Sequence, residues 1–135
     1  MTEVKTRPIE PLDLWIRPDE TCDALTANYR LIQRKKGHRY SVDDMMVGHL
    51  ACTYAENPKR IVDLGCGIGS VLLMLAWGFP QAQLWGVEAQ EQSIRLARRN
   101  VILNGCEART RLLHKDLRQL DELHGLVGDV GAEIG

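Results

Sequence analysis

Asp63 opens a run, Asp63-Leu64-Gly65-Cys66-Gly67-Ile68-Gly69-Ser70, in which glycine stands at every second position, and a second acid, Glu88, follows 25 residues after the first. Glycines so spaced let the backbone take positive φ and leave no Cβ between the chain and a ligand. The apolar residues before the run and the helix-like stretch after it place the turn between a strand and a helix N-terminus. Open α/β sheets bind nucleotides at that point. A dinucleotide fingerprint, G-x-G-x-x-G, would need a third glycine at position 70, where the chain has Ser70. The pattern present is D-x-G-x-G-x-G. Glu88 closes the apolar run Leu84-Trp85-Gly86-Val87, and an acid at such a strand tip can accept hydrogen bonds from both hydroxyls of a ribose. Taken alone, the glycine turn is also compatible with a tight strand-to-helix link that binds nothing.

The elements that would position these groups alternate in type. Strands are expected at Arg60 to Leu64 and Gln83 to Val87, with a weaker one at Arg111 to His114 followed by Asp116. One helix should run from Ser70 to about Gly78 and another from about Gln90 to Leu103, where Asn104-Gly105 stops it. Alternation of this kind implies a parallel sheet with flanking helices. Upstream, Ala24 to Arg34 reads as one strand and Lys35-Lys36-Gly37 as a turn. Ser41 with Asp44 has capping-box form, and Val47, Leu50, Ala51, Tyr54 and Ala55 share one apolar helical face up to Asn57-Pro58. Residues 1–23, with three of the five prolines, read as an irregular arm anchored by Leu14, Trp15 and Ile16. Residues 24–124 form the domain, and 125–135, with four glycines, a tail.

Composition excludes several classes. A net charge of −1 gives no global field to draw in nucleic acid or membrane. No apolar run approaches the roughly 20 residues that span a bilayer. The four cysteines (22, 52, 66 and 106) show no C-x-x-C spacing, so they read as reduced thiols of a cytoplasmic protein, with no metal site.

D-x-G-x-G-x-G resembles motif I of the class I S-adenosylmethionine (SAM) methyltransferases, and Glu88 stands where their motif II ends. The segment Gln33-Arg34-Lys35-Lys36-Gly37-His38-Arg39-Tyr40-Ser41-Val42-Asp43 is similar to one in the small-domain methyltransferases, in particular the bacterial enzymes that methylate N6 of an adenine in the anticodon loop of valine tRNA. The resemblance covers about residues 26 to 117. It implies a Rossmann-like α/β fold and SAM as cofactor, with tRNA as partner. Gly65 and Gly67 would pass along the methionine part of SAM, and Asp63 would serve its ammonium group directly or through water. Glu88 would hold the ribose, Asp116 would accept from the adenine amine, and Tyr40 and Arg39 would flank the pocket. Other roles stay open. Asp116 could cap a helix from Leu117, and Arg39 and Tyr40 could pin the start of the helix after Ser41. The basic run from Arg34 to Arg39 could touch RNA phosphates or be a solvated turn. His114 beside Asp116 and Cys66 within the turn read as structural.

The chain departs from that family in two respects. About three core strands of the usual seven can be counted, in the implied order 3-2-1, and the acceptor loop Asn-Pro-Pro-Tyr after strand four has no counterpart. The expectation is therefore a cofactor-binding portion with no catalytic residue of its own, unable to transfer a methyl group alone. Alternatives are a methyltransferase of another acceptor, such as a protein glutamine or a small molecule, and a non-catalytic SAM-binding module. The open flank of strand one predicts self-association.

Overall fold

The computed structural model describes residues 14–118. Its first element is a hairpin, β1 (Glu20–Thr26) antiparallel to β2 (Tyr29–Arg34), with Cys22 opposite Ile32. The single strand expected over 24–34 is thus two. Ala27 takes φ 45°, the left-handed region, and the chain reverses there. The imperfect alternation along 24–34 has this cause: the end of one strand and the whole of the next were run together. Glu20 to Asp23, placed in the arm by sequence, are strand residues. Leu14 and Ile16 anchor the approach as expected, both buried, while Trp15 is 38% exposed.

Helix α1 (Val42–Tyr54) starts after Ser41, whose backbone N–H donates to the Asp44 carboxylate at 3.2 Å, as the capping pattern predicts. Of the expected apolar face Ala51 packs against the core, but the larger residues do not. Val47, Leu50 and Tyr54 are 54%, 47% and 78% exposed, and Gly48 is the helix's buried residue. The reason is close approach to α2 (Ser70–Gly78). A Cβ on Gly48 would stand 2.8 Å from the Met74 sulfur, and one on Gly78 would stand 2.5 Å from the Cys52 sulfur. The helices meet through their smallest residues, so the larger apolar side chains of α1 are turned outward.

β3 (Arg60–Leu64), β4 (Gln83–Glu88) and β5 (Thr110–His114) form a parallel sheet in the order β3-β4-β5, with Ile61 opposite Leu84 and Leu84 opposite Thr110. This is the 3-2-1 order that the family resemblance implies. α2 links β3 to β4, and α3 (Glu91–Leu103) links β4 to β5. The fold is α/β and Rossmann-like, and incomplete: among the described residues β3 has a strand neighbour on one side only. The hairpin packs on α2 and α3, and Leu31, Ile32, Leu72, Leu73 and Leu84 are fully buried where these layers meet. Gly86 is required at the centre, since a Cβ there would lie 2.9 Å from the Cys66 sulfur and from the side chains of Leu72 and Leu112.

Two buried polar joints lock the layers. Asn100 on α3 accepts from the Ile32 N–H at 2.6 Å and donates to the carbonyls of Ile32 (3.0 Å) and Ile68 (2.9 Å), joining hairpin, helix and glycine turn. Arg99 grips both oxygens of Glu20 at 2.7 and 2.8 Å and donates to the Trp15 carbonyl, tying the N-terminal approach to α3. Burial opposes ionisation of Glu20, but the Arg99 guanidinium, the Arg17 N–H and the two positive charges hold its carboxyl below the usual range. The expected 125–135 tail lies outside the described residues.

Candidate functional site

The glycine run leaves β3 and enters α2 through three left-handed residues, Gly65, Gly67 and Gly69, at φ 75°, 55° and 93°. The N–H groups of Gly65 and Cys66 both donate to the Val87 carbonyl, at 2.7 and 2.9 Å, so the turn is clamped to the end of β4. The glycines divide the work. A Cβ on Gly69 would sit in ordinary contact with Ala97 of α3 at 3.6 Å, whereas nothing lies within 4 Å of where one would stand on Gly65 or Gly67. The first two therefore serve the backbone conformation and keep an open face.

Glu88 stands at the tip of β4 over this turn. One carboxylate oxygen accepts from the Gly67 N–H at 2.9 Å and the other from the Gln90 N–H at 2.8 Å. The acid thus ties the turn to the start of α3. Each oxygen keeps a second lone pair for a hydroxyl donor.

Asp63 carries one of two buried side-chain polar atoms that lack a hydrogen-bond partner among the described residues, the other being Thr110 Oγ1. Its Oδ2 atom is buried and accepts no hydrogen bond from the described residues. Burial, with Asp44 and then Glu88 adding like charge, pushes its carboxyl up to about 6. A buried, unsatisfied carboxylate facing two more acids is costly unless a cation is supplied. A cavity of about 90 Å³ adjoins it, walled by His38, Tyr40, Asp44, Asp63 and the Gly65–Ser70 turn. Sequence reasoning gave Asp44 a capping role only. The structure gives it two, because the same oxygen that accepts from Ser41 also lies 3.4 Å from the Ser70 hydroxyl, inside this wall. The capping pattern was legible, whereas the packing of α1 on α2 that brings the acid to Ser70 was not.

The other expected residues fall in different places. Tyr40 lines the cavity, its hydroxyl donating to the Ala24 carbonyl at 2.7 Å and its N–H to Gln33 at 3.1 Å. Arg39 points back to the hairpin, donating to the Arg34 carbonyl at 2.7 Å and pairing with Asp23 at 3.2 Å. Asp116 is held by Arg118, whose side-chain and backbone hydrogen bonds keep its carboxyl at about 2. The Lys115 N–H donates to the Glu88 carbonyl at 3.1 Å, which keeps the Asp116 segment at the mouth of the site. His114 bonds the Ala89 carbonyl at 2.9 Å and does not pair with Asp116. Burial, with Asp63 and Glu88 nearby, pushes the Cys66 thiol up to about 12, so it is inert at neutral pH.

Among the described residues no cluster of side chains is arranged to hold a metal ion, and no helix is long and apolar enough to cross a membrane. Residues 42–125 match the family model described as the methyltransferase small domain. The chain is 36% identical over 67 residues to the tRNA1(Val) (adenine(37)-N6)-methyltransferase of Yersinia pestis, and to that of Yersinia pseudotuberculosis, an alignment covering 49% of this chain and 27% of either relative. It thus spans about a quarter of the length of these relatives. Among solved structures, it superimposes on a SAM-dependent methyltransferase from Agrobacterium tumefaciens (TM-score 0.66, 17% identity, 80% of this chain and 36% of the other). It also superimposes on P. horikoshii TYW2 in complex with MeSAdo (TM-score 0.65, 18% identity, 78% and 39%). These likenesses establish the fold.

Proposed function

The chain belongs to the methyltransferase small-domain family, and on that premise we propose that the glycine turn, Asp63 and Glu88 form the cofactor site of a SAM-dependent methyltransferase. The observation that carries this reading is the orphaned Asp63 Oδ2 beside a glycine turn with an open face. The ligand that satisfies it must bring positive charge and N–H donors together. The ammonium group of SAM brings both. Gly65 and Gly67 lie along the methionine part, and Asp63 accepts from the ammonium, with Asp44 across the cavity adding negative charge. The free lone pairs of Glu88 accept from the ribose hydroxyls. Asp116 takes the adenine amine by exchanging its pairing with the exposed Arg118 side chain. Arg39 supports Tyr40 by bracing the hairpin end.

SAM supplies a methyl group made electrophilic by its sulfonium, so the protein's task is to bind and align. We assign the acceptor as adenine N6 of a tRNA, a choice supported by the likeness to the valine-tRNA enzymes, with tRNA as partner and the cytoplasm as compartment. SAM and its demethylated product should raise the melting temperature of the chain, since a ligand that binds only the folded state stabilises it by mass action. NAD should leave it unchanged, and stabilisation by NAD alone overturns the cofactor assignment. Valine tRNA from cells lacking the gene should lose N6-methyladenosine from its anticodon loop. Full retention there overturns the acceptor.

A further inference from the structure

A groove of about 560 Å³ lies outside the cofactor site, between the start of the hairpin and the outer face of α3. Among the described residues five arginines line it (Arg17, Arg34, Arg95, Arg98 and Arg99) against two acids, Asp19 and Glu20, while Glu91 pairs with Arg95. In a chain whose net charge is −1, this is a local concentration of positive charge. The buried Arg99–Glu20 pair forms its floor. Arg17 and Arg95 have side chains 57% and 75% exposed, and their partners are near neighbours, Glu20 and Glu91. The Arg95–Glu91 pair, exposed on both sides, is worth little and exchanges readily for another anion.

The groove also has a direction. Arg34 reaches from the end of β2 to the first turn of α3, donating to Gln92 at 2.9 Å. From Arg34 the chain runs through Lys35 and Lys36 to His38, which walls the cofactor cavity. From Gln92, two residues back, Gln90 is held by Glu88. Both edges of the groove therefore lead to the mouth of the cofactor site. SAM is itself a cation without phosphate, so it gains nothing from these arginines. Guanidinium forks match phosphate oxygens in geometry and charge. Among the described residues no aromatic side chain lines the groove to serve as a platform for stacked bases.

We propose that this groove seats the phosphodiester backbone of RNA and delivers the bound strand toward the cofactor site. The inference rests on the tRNA reading above for the identity of the polyanion and goes beyond it in assigning the surface. Contacts of this kind position an RNA without reading its sequence, so the seat accepts many tRNAs and leaves choice of the base to the reaction site.

The test is fluorescence anisotropy of the full chain with labelled tRNA across a salt series. Neutralising two phosphate contacts by Arg34→Gln with Arg95→Gln should weaken binding tenfold or more. It should also flatten the slope of log K against log salt by about 1.4, at roughly 0.7 per contact for single strands. Arg34→Lys with Arg95→Lys should keep most of the slope. The SAM-induced melting shift should be the same in all three proteins, which separates loss of the seat from loss of fold. Unchanged affinity and slope in the glutamine variant overturn the assignment. So does a wild-type chain that binds poly-glutamate and not tRNA, which would make the groove a seat for an acidic protein. Loss of tRNA binding in the variant, with N6-methyladenosine retained in cells lacking the gene, upholds the seat and removes only the acceptor.

Discussion

Glu88 accepts the backbone N–H of Gly67 at 2.9 Å while its other oxygen accepts that of Gln90 at 2.8 Å, so the acid assigned to the ribose also fastens the glycine turn to α3. Glu88→Ala should therefore have two effects. SAM affinity should fall by roughly 1.5–3 kcal/mol, the range for hydrogen bonds to a charged group. The melting temperature should fall as well, because two N–H groups lose their acceptor. Glu88→Gln keeps one acceptor oxygen and should lie between. Calorimetry and a thermal scan read the two effects separately, and an unchanged dissociation constant would show that the acid faces only the turn.

Asp63 and its neighbours set a pH dependence whose sign can be worked out. The carboxyl goes from an unfolded value of 3.8 to about 6 in the fold, chiefly by burial, then by Asp44 and Glu88. A raised folded value means that the native state holds the proton more tightly. Stability without ligand therefore falls as pH rises between those values, by up to about 3 kcal/mol, at 1.36 kcal/mol per pKa unit. Asp63→Asn should remove that loss and make the ligand-free chain firmer at pH 7. The same change should weaken SAM, because the neutral amide offers the ammonium no charge. In the wild type, affinity for SAM should rise from pH 5 to 7 as Asp63 ionises. Denaturant titrations and calorimetry across this range decide the matter; an Asn variant that is less stable at pH 7 would contradict it.

Asn100 should be among the most sensitive positions in the chain. Its amide satisfies one N–H and two carbonyls from β2 and the glycine turn, and it is fully buried. Asn100→Ala leaves all three without partners at about 1–3 kcal/mol for each buried group, so roughly 3 kcal/mol or more should be lost. Because one of the three is Ile68 in the turn, SAM binding should weaken too. A loss below about 1 kcal/mol in urea unfolding would mean that water or repacking replaces the amide.

The parts of this protein that were legible in its sequence are those encoded by local chemistry. Alternate glycines require positive φ and Asn104-Gly105 stops α3. Apolar runs of strand length bounded by turns become β3, β4 and β5. Asp63 and Tyr40 line one cavity beside the glycine turn, and Glu88 bonds that turn from the tip of β4. The errors have a common source in packing. The hairpin turn at Ala27 carries no glycine to mark it, since an alanine bears the left-handed φ of 45°. α1 buries Gly48 because Met74 leaves no room for more, a fact of α2 rather than of α1. Arg39 is drawn to Asp23 across a hairpin that the sequence reading lacked, so its direction could not be foreseen. The arginine groove needs hairpin and α3 side by side; Arg95 and Arg98, three apart on one helical face, were the available signal.

Chemistry on an acceptor should be missing from residues 1–135 taken alone. No segment of the chain matches the Asn-Pro-Pro-Tyr loop that in the resembling enzymes accepts the adenine N6 hydrogens. Purified 1–135 should bind labelled SAM and transfer no methyl group to unmodified tRNA above background. Turnover would reveal acceptor-activating groups within these residues.

Association state is the remaining expectation, and it follows from the flank of β3. Among the described residues that strand pairs with β4 alone, and Leu64 at its end is 56% exposed. Unpaired N–H and C=O groups beside apolar residues are a template for another strand, which natural sheets cover, twist away or charge. The outward residues of α1, among them Met45, Met46 and Val47, about half exposed, add apolar surface that water does not favour. Residues 1–135 should accordingly self-associate in a concentration-dependent way. Val62→Lys, which places a charge on the open strand, should shift the equilibrium toward monomer, whereas Leu50→Lys on α1 should do so only if the helix face takes part. Sedimentation velocity at several concentrations reads both. A wild-type monomer with a sharp thermal transition above about 60 °C, the upper part of the mesophilic range, would mean that residues outside 14–118 already cover the strand.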